Sequence, residues 1–463
     1  MNASLMRMPA ATLAALALSA NLAKADMYSA VQAYDKGDFA GAFQQFKELA
    51  ELGQPRAQLD LAVMYGRGQG VTASSTYAHA WASLAAQNGQ ERGKAIAEEL
   101  ASSLTPTSLR VSAEIQAQYS QAKLNERLLP HVLSGREYTD RDPPRPLKHY
   151  VPSNYPLAAE HRGIQGKVYV EFIVAPDGHP RMPRVLYALP AGYFEDFVRE
   201  SVMRSTYLPA RINGEPITAS TGIFYNFVVN GASLRDYGNL EHQVQEAKVK
   251  AEGGDPSAQM LYGMMIAGLP QLNQTYEKAV PWFLKAAQAG IPYAQFQIGT
   301  GLLRGRGCLC EETKGEIWLE KAAQADQADA QVSLAEYLLK GKPSADSLQG
   351  AMVWLERATR QGNVPAKLLL ASILAANPLQ DIRDPPRALT LTDALQHTYS
   401  QDPSYWEIRA AAFASREDYG AAVKAQTQAL SQATRLGWDL QPMQQRASLY
   451  ASHQPWRGDL LNF

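Results

Sequence analysis

A period of 36 residues constrains the fold of this chain more than any other feature of its sequence. The period begins with alanines in the C-terminal half: Ala258, Ala294, Ala330 and Ala366. Trp282, Trp318 and Trp354 follow the same step, and each lies 24 residues after the alanine of its unit. A fixed period of about 20–50 residues is typical of stacked supersecondary units. The pattern therefore predicts a solenoid in which each unit needs only its neighbours.

Each unit has the pattern of two short helices joined by a glycine-containing turn. Ala294, Ile298 and Leu302 fall on one face at helical spacing. Gly305-Arg306-Gly307 then forms the turn, and Trp318 lies on the second helix. One helix pair cannot bury its apolar face alone, so stacking of pairs makes the core. We expect the tryptophans to fill that core; the alternative is an exposed ladder that binds partners.

A similar residue pattern occurs near both ends of the chain. Ala57 and Trp81 are again 24 residues apart, which predicts a repeat near the N-terminus. Around Trp406 and Ala429 the pattern is that of a tetratricopeptide helix pair. The helical arrays therefore flank the middle of the chain on both sides.

A different pattern separates the two arrays. Residues 167–174 alternate, with four apolar side chains on one face, which predicts a half-buried strand. Pro176-Asp177-Gly178 is a turn signal, and residues 184–187 supply a returning strand. A helix at 194–204 and an apolar strand at 223–229 follow. The order predicts a small α+β unit with a three-stranded antiparallel sheet.

The predicted fold is mainly α, an α-solenoid of stacked helix pairs with one inserted α+β domain. The predicted boundaries are a signal peptide at 1–25, N-terminal repeats and an extra helix at 26–138, the α+β domain at 147–231, helical repeats at 240–401 and a tetratricopeptide-like helix pair at 402–463.

Charge and the N-terminus indicate an exported protein that does not bind nucleic acid. The 44 Lys and Arg against 45 Asp and Glu leave a net charge of −1, without the basic excess that nucleic-acid binding needs. Arg7 precedes an apolar run, and Ala23-Lys24-Ala25 has the small-x-small pattern of a cleavage site. We expect cleavage after Ala25; the alternative is an uncleaved membrane anchor.

The sequence contains no constellation typical of an enzyme. No two of the eight histidines have the i, i+4 spacing of a helical metal site, and phosphate-binding loops and nucleophile elbows are absent. Cys308 and Cys310 are predicted to pair with each other or with another chain in an oxidising compartment, or to remain as buried thiols. We expect no catalysis, cofactor, metal or small-molecule substrate.

The repeat units resemble Sel-one-like repeats, relatives of the tetratricopeptide repeat with a glycine-rich turn and a period of about 36. The resemblance covers residues 26–90 and 241–401, on the alanines, tryptophans and glycines described above. It implies a scaffold or adaptor that holds partner proteins.

The α+β unit resembles the C-terminal domain of TonB. The shared residues include Tyr155-Pro156, Gly163-Ile164-Gln165-Gly166, Asp177-Gly178, Tyr207-Leu208-Pro209-Ala210, Asn213-Gly214 and Phe227. The resemblance implies a periplasmic domain that binds the extended TonB box of outer-membrane receptors by adding a strand to its sheet edge. On that basis the peptide-binding residues are Ile223, Phe224, Tyr225, Asn226, Phe227, Val228 and Val229. The alternative is that the neighbouring solenoid caps this strand.

Together these features favour a non-enzymatic periplasmic adaptor whose partners are proteins, with a TonB-dependent outer-membrane receptor as the expected peptide donor. A second hypothesis is an energy transducer of the TonB family, anchored in the inner membrane by an uncleaved N-terminus. The short Pro-rich linker at 142–146 departs from the long spacer of TonB proteins. A third hypothesis is an enzyme or an accessory of cell-wall enzymes. The sequence does not indicate an oligomeric state.

Overall fold

The computed structural model describes residues 27–132, 145–148, 155–212, 215–227, 240–269, 272, 274–340, 343 and 345–461. The chain divides into two compact units, residues 1–129 and 130–463. The predicted signal peptide lies outside the described residues. Within the described ranges, no helix has both the length and the apolar character needed to cross a bilayer.

The first unit is built of helices, most of which pack on their neighbours in sequence. They are α1 (Met27–Asp35), α2 (Phe39–Glu51), α3 (Pro55–Arg67), α4 (Ser75–Gln87), α5 (Glu91–Ala101), α6 (Pro106–Gln118) and α7 (Gln121–Arg127). The Gln54 side chain caps the start of α3, and α3 ends at Gly68, whose φ of 68° is the left-handed conformation that glycine adopts without strain. The Ser74 hydroxyl caps α4. The pair α3 and α4 is the repeat predicted from Ala57 and Trp81.

The second unit contains a small α+β module, predicted at residues 147–231, and a helical array that follows it in the chain. The module and its approach contain β1 (Arg145–Lys148), α8 (Leu157–Glu160), β2 (Gly166–Val174), β3 (Pro180–Leu189), α9 (Glu195–Arg204), β4 (Thr206–Leu208), β5 (Ala210–Ile212), β6 (Glu215–Ile217) and β7 (Ala219–Phe227). The predicted three-stranded antiparallel sheet is confirmed, in the order β3-β2-β7. Two shorter pairs, β1 with β4 and β5 with β6, were not predicted.

The array is made of helices that keep the 36-residue period as far as residue 376. They are α10 (Leu240–Glu252), α11 (Pro256–Gly268), α12 (Val280–Gln288), α13 (Pro292–Arg304), α14 (Glu312–Gln324), α15 (Ala328–Leu338), α16 (Ala345–Arg360), α17 (Val364–Ala376), α18 (Pro385–Asp393), α19 (Gln396–Tyr399), α20 (Pro403–Ser415), α21 (Tyr419–Leu436) and α22 (Gln441–Ala451). Successive helices pack on each other, so the predicted solenoid of helix pairs is confirmed.

A glutamine follows four of the repeated alanines, Ala57, Ala258, Ala294 and Ala330, and joins one helix pair to the next. Its side-chain amide donates a hydrogen bond to a carbonyl in the last turn of the preceding helix, eight residues earlier. The four bonds run from Gln58 to Ala50, Gln259 to Ala251, Gln295 to Ala287 and Gln331 to Ala323, at 3.1, 3.3, 3.2 and 3.0 Å. The last carbonyls of a helix have no partner within it, so these bonds satisfy a buried group at each junction.

The repeated tryptophans are buried to different degrees. Trp318 is fully buried, with 1% of its surface exposed, which confirms its prediction as a core residue. Trp282 and Trp354 are half-buried. Trp282 lies edge-on to Tyr262, with 5.1 Å between ring centroids. Of the three tryptophans, Trp318 is therefore the one that the core between repeats fully encloses.

The module's sheet is buried on both faces. On one face the valines of β2 pack with Val198 and Val202 of α9, as its alternation predicted. The prediction that the other face is solvated is wrong: Tyr169, Glu171 and Ile173 are only 2–3% exposed. This face packs against the helical array, so its polar side chains meet polar and aromatic partners rather than water.

Candidate functional site

The outer edge of β7 is a long, regular sheet edge. All nine residues of β7 pair with β2, from Ala219 opposite Val174 to Phe227 opposite Gly166, without a register shift. β7 contains no proline. It stands last in the strand order, and no strand in the described part of the chain pairs with its outer side. Such an edge can accept another extended chain through main-chain hydrogen bonds.

The residues predicted to bind a peptide fall on this strand, which begins four residues earlier than predicted. Tyr225 and Phe227 point into the module core, where the Phe227 ring stacks on Phe194 at 4.1 Å between centroids. The Ser201 hydroxyl donates to the Tyr225 hydroxyl oxygen at 3.1 Å. Ile223 packs against the same core.

Alternate residues of β7 face the other way. Phe224 lies 4.5 Å from the Tyr169 ring and 5.8 Å from the Tyr276 ring, between centroids, at the side of the helical array. Asn226 is exposed. Val228 and Val229 lie outside the described residues. Both sides of β7 are thus anchored by aromatic contacts, and β2 is the one described strand that pairs with it.

Strand β3, at the opposite edge of the sheet, is irregular. It contains Pro180 and Pro183, and its pairing with β2 shifts register twice, each time leaving one extra residue on β3. One extra residue is Leu186, whose carbonyl accepts a hydrogen bond from the Tyr293 hydroxyl of α13 at 3.3 Å. Met182 has a φ of 51°, rare for a residue with a side chain. Prolines, bulges and contacts that cover the backbone all prevent a sheet edge from pairing with another strand.

The helical array lies along β3. The Tyr187 hydroxyl donates to the Met264 carbonyl of α11 at 2.9 Å. Gly268 makes room for that ring, since a Cβ there would lie 1.5 Å from the Tyr187 oxygen. Further along, the Arg184 guanidinium donates to the Ser333 hydroxyl of α15 at 2.8 Å. We call this side of α11, α13 and α15 the repeat face; here it holds a strand of the same chain.

A buried cluster of charges lies between β2, β3 and the repeat face. Glu171 accepts from Arg184 at 3.0 Å and contacts Arg304. Glu336 lies 3.4 Å from Arg184 and 3.9 Å from Arg304. All four side chains are at most 12% exposed. Buried charges of this kind are tolerated only when paired and hydrogen-bonded.

The two carboxyl groups of the cluster differ in their pKa. Burial acts to raise the pKa of Glu171, but the guanidinium groups of Arg304 and Arg184 outweigh it, and the pKa is lowered. Burial raises the pKa of Glu336 in spite of the same two arginines. Glu171 is therefore the carboxylate that holds its charge at the junction of the sheet with the repeat face.

The turn between α13 and α14 adds a second contact. The Arg306 guanidinium lies 4.4 Å from the Tyr169 ring centroid and donates to Gln297 and Thr300 at 2.9 Å. Cys308 and Cys310 lie in the same turn and no disulfide joins them in this structure. Burial raises the pKa of the Cys308 thiol to about 12, which disfavours the reactive thiolate. Their oxidative pairing stays a prediction.

The tip of the β2–β3 hairpin contacts the C-terminal helix pair. The His179 ring stacks on Trp438 at 5.4 Å between centroids, and Arg181 lies 4.0 Å from the Trp438 ring. The Trp438 indole donates to the Met203 carbonyl at 3.1 Å. The Asp439 amide donates to His179 Nε2 at 3.0 Å, so this nitrogen must be unprotonated. Burial lowers the pKa of His179.

We expect this contact to weaken in mild acid. Because the folded-state pKa of His179 lies below the ordinary value of about 6.5, protonation favours the unfolded chain, and stability is lost as pH falls below about 6.5. His179→Gln keeps an acceptor for Asp439 but does not titrate. Urea midpoints at pH 7.5 and 5.5 should therefore fall more for the wild type than for the variant. Equal decreases would contradict this assignment.

Sequence reasoning missed the residues that join the sheet to the repeat face. They are Tyr169, Glu171, Arg184, Tyr187, Tyr293, Arg304, Arg306 and Glu336. In the sequence, those of them that lie in β2 and β3 are polar and resemble the solvent-exposed face of a strand. Among the described residues, no group of His, Cys, Asp and Glu is arranged to hold a metal ion.

Two families match segments of the chain. Residues 151–229 match the family described as Gram-negative bacterial TonB protein C-terminal. The Sel1 repeat matches residues 55–90, 256–291, 292–327 and 328–363. Both kinds of domain are interaction scaffolds. The matched segments are the module's sheet and α9, the pair α3 and α4, and the helices α11 to α16.

Individual proteins are also similar to parts of the chain. Protein TonB of Escherichia coli (strain K12) is 37% identical over 92 residues, which are 19% of this chain and 35% of that protein. The chain thus spans about a third of that relative's length. A Sel1 repeat protein from Oxalobacter formigenes is 20% identical, with a TM-score of 0.36 over 47% of this chain and 88% of that chain. A protective antigen of uropathogenic Escherichia coli strains, with an SLR fold, is 17% identical, with a TM-score of 0.35 over 89% and 70%. By its two family matches, the chain is a helical-repeat protein with Sel1 repeats and an internal domain similar to the C-terminal domain of TonB.

Proposed function

We propose that this protein is an exported periplasmic adaptor that binds an extended peptide by adding a strand to the outer edge of β7. The supporting observation is the asymmetry of the sheet. β7 is regular over nine paired residues and lacks proline. β3 carries two prolines and two register shifts and is covered by helices. Only one of the two edges is built to accept a new strand.

The expected peptide belongs to the N-terminal part of an outer-membrane receptor. The similarity of residues 151–229 to the TonB C-terminal family supports this choice. In strand addition, main-chain hydrogen bonds provide affinity and alternate side chains provide selectivity. Peptide side chains on one side would meet Phe224 and the array, and those on the other side the module core near Ile223.

Backbone methylation of the peptide tests this mode of binding. In an added strand, the amides of alternate peptide residues point toward β7 and the others away. N-methylation at every second position in one register should abolish binding of a receptor-derived peptide to the full chain, because a buried carbonyl loses its donor. N-methylation in the other register should leave the affinity within about threefold. Calorimetric titration measures both.

Each methylated peptide is the control for the other, since both have the same side chains and size. Equal affinities for the two registers would contradict strand addition. Hydrogen exchange of the complex then locates the site. Slower exchange in residues 219–227, without a change in 180–189, is expected.

A second candidate is an energy transducer of outer-membrane transport, which the 37% identity to protein TonB favours. It requires the N-terminus to remain as an inner-membrane anchor. Mass spectrometry of the protein purified from the cell envelope separates the two functions. We expect the mature chain to start at Asp26; a chain that still carries residues 1–25 would support the transducer and contradict the free adaptor.

A further inference from the structure

The contacts of β3 advance along the array one repeat at a time. Tyr187 contacts α11 of the first C-terminal repeat, the Leu186 carbonyl contacts α13 of the second, and Arg184 contacts α15 of the third. Met182 then joins the apolar cluster that includes Leu369 of α17. An extended strand thus crosses three successive first helices of helix pairs, the way a bound peptide would lie on the array.

The contacts are specific to this strand. They combine a cavity left by a glycine, a hydroxyl bonded to a backbone carbonyl and a buried pair of opposite charges. Tyr187 fills the space beside Gly268, and Arg184 lies between Glu171 and Glu336. Side chains of this size and charge at buried positions fix register as well as position. The repeat face is therefore complementary to β3 along its length.

We infer that the C-terminal Sel1 repeats act as an intramolecular receptor for β3, and that this binding decides which edge of the module's sheet is open to a peptide. The occupant of the repeat face is the chain's own strand, not a second protein. The Leu186 carbonyl of β3 is already bonded to Tyr293, and Pro180 and Pro183 have no amide to donate, so β3 is a poor partner for another strand and β7 is the edge that remains. The part of this inference that concerns β7 rests on the proposed function; the occupation of the repeat face by β3 does not.

Hydrogen exchange of the full chain without any peptide tests the inference. Half of the amides of an edge strand point outward, and they exchange quickly unless another element covers them. In the wild type, residues 181–189 should exchange more slowly than residues 219–227. Arg304→Glu places a second negative charge beside Glu171, on the array side of the contact. We expect exchange in β3 to rise by at least about tenfold in this variant.

Arg360→Glu is the matched control, since Arg360 also lies at a helix end of the array but is exposed. It should leave the difference in exchange rate between β3 and β7 unchanged. Arg304→Met, which removes the charge and keeps an apolar side chain of similar length, serves if Arg304→Glu does not fold; a smaller rise in β3 is expected. Equal exchange of β3 and β7 in the wild type, or an unchanged contrast in both Arg304 variants, would overturn the inference. A peptide that fails to slow exchange in β7 would count against the proposed function alone.

Discussion

Replacement of Trp318 by alanine should lower the free energy of unfolding of the second unit by about 3–5 kcal/mol. Trp318 is 1% exposed and lies on α14, in the middle of the three consecutive Sel1 repeats of this unit. Truncation removes its buried apolar surface and leaves a cavity that the alanine-rich surroundings, including Ala322 and Ala323, are too small to fill. Urea unfolding followed by circular dichroism measures the loss.

Trp282→Ala is the control, because Trp282 occupies the same position one repeat earlier. Its side chain is half-buried and contacts Tyr262 and Lys285. Because less surface is lost and water can enter the space, we expect less than half of the loss seen for Trp318. Equal losses in the two variants would show that burial does not govern the contribution of this repeat position.

The helical architecture could be predicted because the repeat pattern occurs several times in the sequence. The steps between Ala258, Ala294 and Ala330 defined the unit length, and the helices α11, α13 and α15 begin two positions before those alanines. The sheet was predictable from alternation and a turn signal. Each of these signals is local, or repeats a local pattern, so it can be recognised without knowledge of tertiary contacts.

The junction between the module and the array could not be predicted in the same way. Tyr169 and Glu171 alternate with valines, and on alternation alone a polar face is a solvated face. Only the array, which begins about 70 residues later in the chain, supplies the partners Arg304 and Arg306. A sequence pattern within one strand holds no information about partners so distant. The peptide-binding role of residues 223–229 also stays a prediction.

One signal in the sequence does mark the repeat face. Positions that are equivalent by the 36-residue step should look alike if they only pack against neighbouring repeats. Instead, Gly268 and Arg304 occupy equivalent positions (268 + 36 = 304), and so do Met264 and Glu336 (264 + 72 = 336). Gly268 and Met264 both contact Tyr187, whereas Arg304 contacts Glu171 and Glu336 contacts Arg184. Departures from the repeat pattern thus identify the helix side that binds something irregular.

Replacement of Glu171 by alanine should strongly destabilise this junction. It removes the carboxylate between Arg184 and Arg304 and leaves two buried guanidinium groups with Glu336 alone. Removal of one partner from a buried ion pair typically costs about 3–5 kcal/mol of unfolding free energy. We expect a value near the lower limit, because the charge of Glu171 helps to raise the pKa of Glu336, and its removal allows Glu336 to ionise more fully. Urea unfolding at pH 7 measures the change.

Two comparisons make this prediction specific. Glu114→Ala removes one member of the exposed pair with Arg110 and should leave the urea midpoint almost unchanged. The double variant Glu171→Ala with Arg304→Met should recover part of the loss, since it removes one of the charges left unpaired. The pH dependence has a defined sign. Because the folded-state pKa of Glu171 is lowered, its contribution is present above the ordinary pKa of about 4.5 and is lost as pH falls through the folded value. The wild type and Glu171→Ala should therefore converge in stability as the solution is acidified, and a constant difference down to pH 3 would show that the loss comes from packing rather than from charge.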